Sequence, residues 1–480
     1  MDVLLINPFP KAKGINEATI EPPIGLAYLA AVLERDGFES SIIDANILRL
    51  ENRAVLNRIK DLKPKLIGIS LNVVTAASGI ELSRNCKSMF PGIPVILGGP
   101  FPTSLPEATL KISLADGIVL GEGEETLLEV MRRHRDNGHI FKDIEGVIYT
   151  EKGDILYNKP RQLIDNLDLL PFPDYNKLPN LLMYKSRARK RPVAGIFTSR
   201  GCPFHCVYCN KNIFTDKFRK RSAVNVVEEI GYLVNKFNVR QIDILDDNFS
   251  LDLERAHRIF ELLIEKKYHL AVNIQNGMRA EQVDEEIIRK MKDAGVFKVS
   301  FGVESGDERV LKIIKKDLDL DKVLEATRLM KEAGIIVYGN FMLGLPGDTK
   351  DSMQKTIDFA KKMNPDIANF MITIPFPGSE LYDWIKKEGK FLVDIEHGVS
   401  SGFYGGQVFF ALNGLDPQEV LFYYKKAYRD FYMQFSKIVD IIASPRSLYE
   451  IKWLIDGGVS TLRGLIKHSS IKKESLLCRK

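Results

Sequence analysis

Three cysteines fall within eight residues, as Cys202-x3-Cys206-x2-Cys209, in the stretch SRGCPFHCVYCN. Thiolates bind iron–sulfur clusters and zinc. Three on one short loop can wrap one face of a cubane cluster, which normally takes four cysteines. No fourth lies near, since the chain has 5 Cys and the other two are Cys86 and Cys478. The spacing therefore implies a cluster with one iron left open for an exogenous ligand. Gly201 allows the loop to pass close to the metal, and Tyr208 stands beside it as an aromatic platform. The alternatives are zinc with His205 as fourth ligand, or three unliganded thiols. His205 adjoins Cys206, and adjacent side chains diverge, which makes tetrahedral closure awkward. Zinc sites also tend to come as paired C-x2-C units.

A second set of candidates follows a series of short apolar runs. VAGIFTS (193–199) leads straight into the cysteines. QIDIL ends at Asp246, Asp247 and Asn248, and LAVNI at Gln275, Asn276 and Arg279. FKVSFGV ends at Glu304 and Ser305, and IIVYGNFML at Gly344 and Pro346. IANFMITIP closes the series. Helical patterns separate these runs, so six βα units are expected, an incomplete version of the eight-stranded barrel. Barrels of this kind carry their chemistry at the C-terminal strand ends. The bland alternatives are an acid-rich helix start for Asp246-Asp247 and a surface ion pair for Arg279.

The first third alternates in the same way. VLLIN, SIID, LIGIS, PVILGG and GIVLG are strands separated by helices, which predicts an open, doubly wound, Rossmann-like sheet. Such sheets bind ligands beyond the C-terminal strand ends. The loops there are 7–10, 70–75, 98–103 and 121–125. Gly98, Gly99 and the Gly121-Glu122-Gly123 stretch let backbone approach a ligand closely, or simply make tight turns. Neither stretch is a G-x-G-x-x-G fingerprint, so dinucleotide binding is weakly supported. The expected organisation is a first domain over 1–140 and a linker over 141–190 containing a hairpin. A barrel over 191–385 and a helical region over 386–480 complete it.

Composition limits the function classes. The chain has 480 residues, 45% apolar and 27% charged, which fits a globular protein of two or three domains. The net charge of +5 is mild for this length, so no nucleic-acid partner is expected. No apolar run approaches the ~18 residues that span a bilayer. The N-terminus lacks a basic signal region, and the expected compartment is the cytoplasm. The basic, aromatic C-terminal region, with Lys425, Lys426, Arg429 and Lys437, is expected to cap the barrel. The alternative is a lid or peripheral contact with a membrane surface.

C-x3-C-x-aromatic-C after a first barrel strand resembles the signature of radical S-adenosylmethionine (SAM) enzymes. DDNF (246–249), FGVESG (301–306), GNFMLGLPGDT (339–349) and IPFPGSELY (374–382) are similar to that superfamily as well. The first domain resembles the cobalamin-binding domain that precedes this barrel in one large branch. Its matching stretches are PPIGLAYLAAVLERDG (22–37), ISLNVVTAA (69–77), LGGPFPT (97–103) and GEGEETL (121–127). That branch includes methylases of unactivated carbons, hopanoid-modifying enzymes and the anaerobic porphyrin-ester cyclase.

The resemblance implies roles residue by residue. Cys202, Cys206 and Cys209 would hold a [4Fe–4S] cluster whose open iron binds the amino and carboxylate groups of SAM. Cleavage would then give methionine and a 5′-deoxyadenosyl radical. Asp246 and Asp247 would orient the amino group, with Asn248, Tyr208 and Arg279 beside the cofactor. Glu304 and Ser305 would contact ribose or amino groups, and the loop after Gly344 would face adenine. Asn72 or Val73 would lie under the corrin, with Gly98, Gly99 and Glu122 around it. Many cobalamin domains carry Asp-x-His-x-x-Gly, but the corresponding loop here, NPFPKAKG, has no His. Cobalamin is therefore expected to bind without a histidine ligand. The implied function is cobalamin-dependent C-methylation of an unactivated carbon. Radical cyclisation, rearrangement or carbon coupling without methyl transfer is the alternative, and a non-catalytic sensor is a third. The implied partners are a small, lipid-like or tetrapyrrole substrate and an electron donor such as a flavodoxin or ferredoxin.

Overall fold

A computed structural model describes residues 1–10, 20–136, 138–184, 188–396, 406–412, 414–434, 437 and 439. Residues 11–14 of the loop NPFPKAKG and the tail from 440 onward lie outside the described residues.

The first sheet contains β1 (Val3–Asn7), β2 (Ser40–Asp44), β3 (Leu66–Ser70), β4 (Val95–Gly98) and β5 (Gly117–Val119). They run parallel in the order β2-β1-β3-β4-β5. Alternate residues of one strand enter different cores. Val3 and Leu5 pack with the helices Ile24–Arg35 and Glu124–Arg135. Leu4 and Ile6 pack with the helices Asn52–Leu62 and Ala76–Met89. The two-residue period of a strand thus sends a continuous apolar run to both faces, and the sheet is covered on both sides. Strand order reverses between β1 and β3, so the crevice of a doubly wound sheet opens there.

The expected hairpin extends this sheet. β6 (Val147–Glu151) pairs antiparallel with β5, and β7 (Asp154–Tyr157) pairs antiparallel with β6. The first sheet therefore runs past residue 140 into the stretch expected to be linker. The remaining linker is pinned at both ends. Tyr175 donates its hydroxyl proton to Gly195 O at 2.5 Å, and Tyr184 donates to Asp44 Oδ2 at 2.8 Å. Both tyrosines are buried.

The second sheet is the expected incomplete barrel. β8 (Val193–Ile196) is followed by a short antiparallel ribbon, β9 (Ser199–Arg200) with β10 (Arg219–Lys220). Then come β11 (Gln241–Ile244), β12 (Ala271–Met278), β13 (Val296–Glu304), β14 (Ile336–Leu343) and β15 (Ile367–Ile372). β8 and β11–β15 pair parallel in chain order, leaving β8 and β15 as the two edges. The helix Ile24–Arg35 serves both sheets. Gly195 of β8 makes room for it, since a Cβ there would lie 2.7 Å from Ile24 Cδ1.

Beyond the barrel the helix Pro417–Tyr432 packs on β15, as a cap does. Lys426 and Arg429 both pair with Asp430. Lys437 is buried and donates to Asn364 Oδ1 at 3.0 Å and to Pro365 O. No helix among the described residues is long and apolar enough to cross a membrane.

A buried ion network fastens the two sheets together. Arg200 donates to Glu122 Oε1 and to Glu124 Oε1, each at 2.7 Å. Arg219 donates to Glu122 Oε2, also at 2.7 Å. The acids follow β5, and the arginines face each other across the β9–β10 ribbon. All four side chains are at most 7% exposed. Removing one charge strands the others in a place water cannot reach. Glu122→Gln is expected to lower unfolding stability by about 3–5 kcal/mol. Denaturant melts of both proteins check this, and a loss near zero would mean water enters the junction.

Candidate active site

The cysteines occupy the loop 201–218, closed at its base by the β9–β10 ribbon. Its two arms cross so tightly that residue 201 must be glycine. Gly201 has φ +85°, and a Cβ there would lie 2.3 Å from Lys217 O and 2.9 Å from Phe214 O. The tip is anchored on the far side of the barrel. Val207 N donates to Ile314 O at 3.1 Å, and Leu381 N donates to Val207 O at 2.8 Å. Val207 is buried among Val310, Leu311, Ile314 and Leu345.

Cys202 and Cys206 are half-buried, and the exposed surface of Cys209 faces the cleft between the two sheets. The thiols are close enough to perturb one another. Burial pushes the Cys202 thiol up, and Asp247 and Cys206 add to this. Burial in the cleft, Asp247, Cys206 and Cys202 push Cys209 up to about 12. Among the described residues no three His, Cys, Asp or Glu side chains are arranged around a single metal ion. In a cubane each thiolate binds a different iron, so its ligands stand farther apart than those of one ion. His205, the candidate fourth zinc ligand, lines a separate cavity of about 520 Å³ to which none of the three cysteines contributes.

Cys202 and Cys209 open instead into a cavity of about 530 Å³ between the two sheets. Its opposite wall is built from the C-terminal strand ends of the first sheet. Asn72, Val73, Gly98, Gly99 and Glu122 all line it, as does Asp247. Leu26, Phe197, Phe214 and Phe376 make the walls apolar. Gly25, in the first turn of the helix Ile24–Arg35, also lines it. A Cβ at Gly25 would meet no described atom within 4 Å, and its φ is not positive. Neither packing nor backbone conformation requires glycine there, and helix propensity disfavours it. The missing side chain widens the floor for a bulky ligand. Gly68 of β3 lines the same floor.

The sequence candidates sort into three groups. The first faces the cavity. Asp247 accepts from Gly201 N, and burial and Asp246 raise its pKa. Val73 is half-buried at the wall. Asn72 is exposed to the cavity, but its Oδ1 accepts from Val74 N at 2.9 Å and Thr75 N at 3.0 Å. Gly99 has φ +96°, and a Cβ there would lie 2.8 Å from Leu71 O.

The second group surrounds the cysteine loop. The Tyr208 hydroxyl engages the Cys206 thiol and accepts from Lys316 Nζ at 3.4 Å. The same ammonium lies 3.1 Å from Glu304 Oε1. Glu304 adopts φ +66°, uncommon for a residue with a Cβ, so its strand-end position is specified by its surroundings. The Arg279 guanidinium sits 4.1 Å from the centroid of the Phe204 ring on the cysteine loop and pairs with Glu281 at 3.0 Å. Gln275 Nε2 donates to Glu21 Oε1 at 2.7 Å, ahead of the first helix.

The third group is used inside the fold. Asp246 is 1% exposed and accepts from Thr198 N at 2.6 Å, Ser199 Oγ at 2.6 Å and Thr198 Oγ1. It ties the exit of β8 to that of β11. Asn248 is buried and accepts from Ser250 Oγ at 3.2 Å. Ser305 is fully buried, against Thr356 Oγ1 at 3.3 Å. Gly344 packs under the C-terminal helix, where a Cβ would lie 3.0 Å from Val420 Cγ1. Its N–H donates to Asp348 Oδ2 at 3.0 Å. Glu122 reaches the cavity rim, but its carboxylate is taken by Arg200, Arg219 and Ile164 N.

Arg200, Arg219, Lys316, Asn210 and Phe204 were not singled out from sequence. Asn210 Nδ2 donates to Ser104 Oγ at 2.7 Å and to Pro377 O at 2.6 Å, joining the loop to both sheets. The one available signal was the acidic stretch GEGEE, which at a buried strand exit demands cations.

A family model described as the radical SAM superfamily matches residues 196–360, and one described as a B12 binding domain matches residues 12–131. A protein of Pyrococcus horikoshii, named as an uncharacterized methyltransferase, is 34% identical over 388 residues, covering 80% of this chain and 83% of that one. The cytidylyl-2-hydroxyethylphosphonate methyltransferase of Streptomyces wedmorensis is 27% identical, with 89% of each chain covered. The radical SAM methyltransferase TsrM from Kitasatospora setae, solved with cobalamin and a [4Fe–4S] cluster bound, has the same fold. Its TM-score is 0.75 at 16% identity, over 98% of this chain and 100% of that one. With a B12-binding domain ahead of a radical SAM barrel, and a relative this similar along most of its length, the chain belongs to the cobalamin-dependent methyltransferase family of radical SAM enzymes.

Proposed function

We propose that this chain is a cobalamin-dependent radical SAM C-methyltransferase acting on an unactivated carbon of a small molecule. The observation that carries the reading is the shared cavity. Cys202 and Cys209 open into the same space as Gly25, Gly68, Gly98 and Gly99. A reaction that uses two cofactors on one substrate needs such a junction.

Cys202, Cys206 and Cys209 are the thiolates for a [4Fe–4S] cluster, and the glycine-lined wall is the seat for a corrin. When bound, the cluster supplies the electron that cleaves SAM, and cobalamin carries the methyl group. The chain's own residues do the rest. Gly201 and the Val207 anchor hold the three thiols on one rigid loop. Asp247 presents a carboxyl beside the thiols that would take SAM's amino group, while Asp246 fixes the strand end beneath it. Glu304, paired with Lys316, borders the same loop through Tyr208. Phe197, Phe214, Phe376 and Val73 give the cavity apolar walls, the kind of surroundings that shield a primary carbon radical. Asn72 spends its carbonyl oxygen on its own turn. No His lines this cavity among the described residues. The compartment in this reading is the cytoplasm, and the electron donor is of the flavodoxin or ferredoxin class.

The reading is tested by anaerobic reconstitution with iron and sulfide, then turnover of SAM with reductant and cobalamin. Methyl transfer gives 5′-deoxyadenosine and S-adenosylhomocysteine together. 5′-Deoxyadenosine alone would move the assignment to a radical cyclase or coupling enzyme, and neither product would move it to a sensor. Cys206→Ala is expected to lose the cluster's visible absorbance and both products. Cleavage that survived in this variant would remove the cysteines from their role.

Gly25→Leu tests the other half of the cavity. Its side chain has room within the described fold, so thermal stability is expected to hold or rise slightly. Cobalamin affinity is expected to fall by about tenfold or more, ~1.4 kcal/mol. Unchanged titration of cobalamin into this variant would place the corrin elsewhere.

A further inference from the structure

Lys211 lies two residues beyond Cys209, and its Nζ is buried with no hydrogen-bond partner. The side chain forms part of the wall between the two cavities, since it lines both. Its place is set from both sides. Asn210 is held by Ser104 and Pro377, and Asn212 Nδ2 donates to Ser104 Oγ at 3.2 Å. Thr215 N donates to Lys211 O at 2.8 Å, closing a turn around it. The ammonium is therefore not a surface charge that happened to fold inward. It is delivered by a loop tied to both sheets.

A buried ammonium without acceptors is costly, and natural folds pair such groups. The nearby acids do not serve. Glu122 is taken by Arg200 and Arg219, and Glu125 and Asp216 line the second cavity without pairing with Lys211. The groups that feel its field are Asp247, Cys202 and Cys209. The missing partner is an anion that arrives at the thiols.

We infer that Lys211 is a built-in counter-ion for the iron–sulfur cluster, placed to favour its reduced state. The inference rests on reading the three cysteines as cluster ligands. Binding a cluster converts the thiols to thiolates and releases their protons to solvent. The one-electron donor then adds a further negative charge to the thiolate-bound core. A fixed cation facing that core stabilises the reduced form more than the oxidised form, so it raises the reduction potential. Net charge around a cluster is one of the established determinants of its potential. Lys211 thereby acts on the ease of loading the electron, without touching the substrate.

The test compares full-length Lys211→Met and Lys211→Arg with the unaltered chain, each reconstituted anaerobically and titrated by EPR against applied potential. Iron and sulfide content is measured in parallel. Lys211→Met is expected to hold the same cluster, with the reduced-to-oxidised ratio at a fixed potential lowered about tenfold, ~59 mV for a one-electron couple. Lys211→Arg, which keeps the charge, is expected to stay near the unaltered value. Equal potentials in all three overturn the inference. Equal potentials with weakened cobalamin binding in Lys211→Met reassign the ammonium to the corrin's phosphate, which overturns it too. If Lys211→Met takes up no cluster, Lys211→Arg decides. Loading at the unaltered potential supports a demand for charge, and failure of both variants makes the residue structural. An unaltered chain that takes up no iron and sulfide overturns the functional reading and this inference together.

Discussion

Four charges buried between two sheets hold the arrangement in register. Glu122 and Glu124 leave the first sheet, and Arg200 and Arg219 stand on the ribbon at the base of the cysteine loop. Buried ion pairs contribute little net stability relative to apolar packing, because desolvation offsets most of the attraction. Their effect is on geometry. The partners of each carboxylate lie in fixed directions, and a displaced ribbon would leave several charges unpaired at once. The cysteines inherit that precision. Tyr28 and Phe214 flank the Arg200 guanidinium at 5.3 and 5.1 Å from their ring centroids, so even the apolar surroundings of the network are shared between the sheets.

Most of the architecture was legible in the sequence. Apolar runs of four or five residues between helical patterns correspond to β1–β5 and to the barrel strands, with ends displaced by a few residues. The cysteine spacing, together with strand exits rich in Asp, Asn, Glu and Gly, pointed to the face on which the cavity between the sheets opens. What each exit residue does was less legible. Asp246 and Asp247 are neighbours of the same type, yet one is consumed by Thr198 and Ser199 and the other faces the cavity. A strand exit turns successive side chains in opposite directions, and a one-residue uncertainty in the strand end exchanges their roles.

The ion pairs of Glu122 were not legible for a different reason. Its partners lie 78 and 97 positions away, beyond any local pattern. An acid between two glycines at a βα turn suits a ligand and an arginine equally well. Ser305 and Gly344 follow the same logic, since small polar or flexible residues near a site also close the turns that support it. The antiparallel hairpin was recognised as a hairpin. Its docking onto β5 was not, because which sheet edge remains free is a property of the assembled fold.

The helix Ile24–Arg35 has a consequence for how this enzyme could diversify. One flank closes the first sheet, while Ile24 reaches the notch left by Gly195 and Ala27 O accepts from Asp174 N at 3.0 Å. The cobalamin module is thus not a detachable cartridge. Recombination that exchanged it for another would have to import a matching helix, a compatible notch in the barrel and acids placed for two arginines. New substrates are reached more readily by changing the rim of the cavity than by trading its halves.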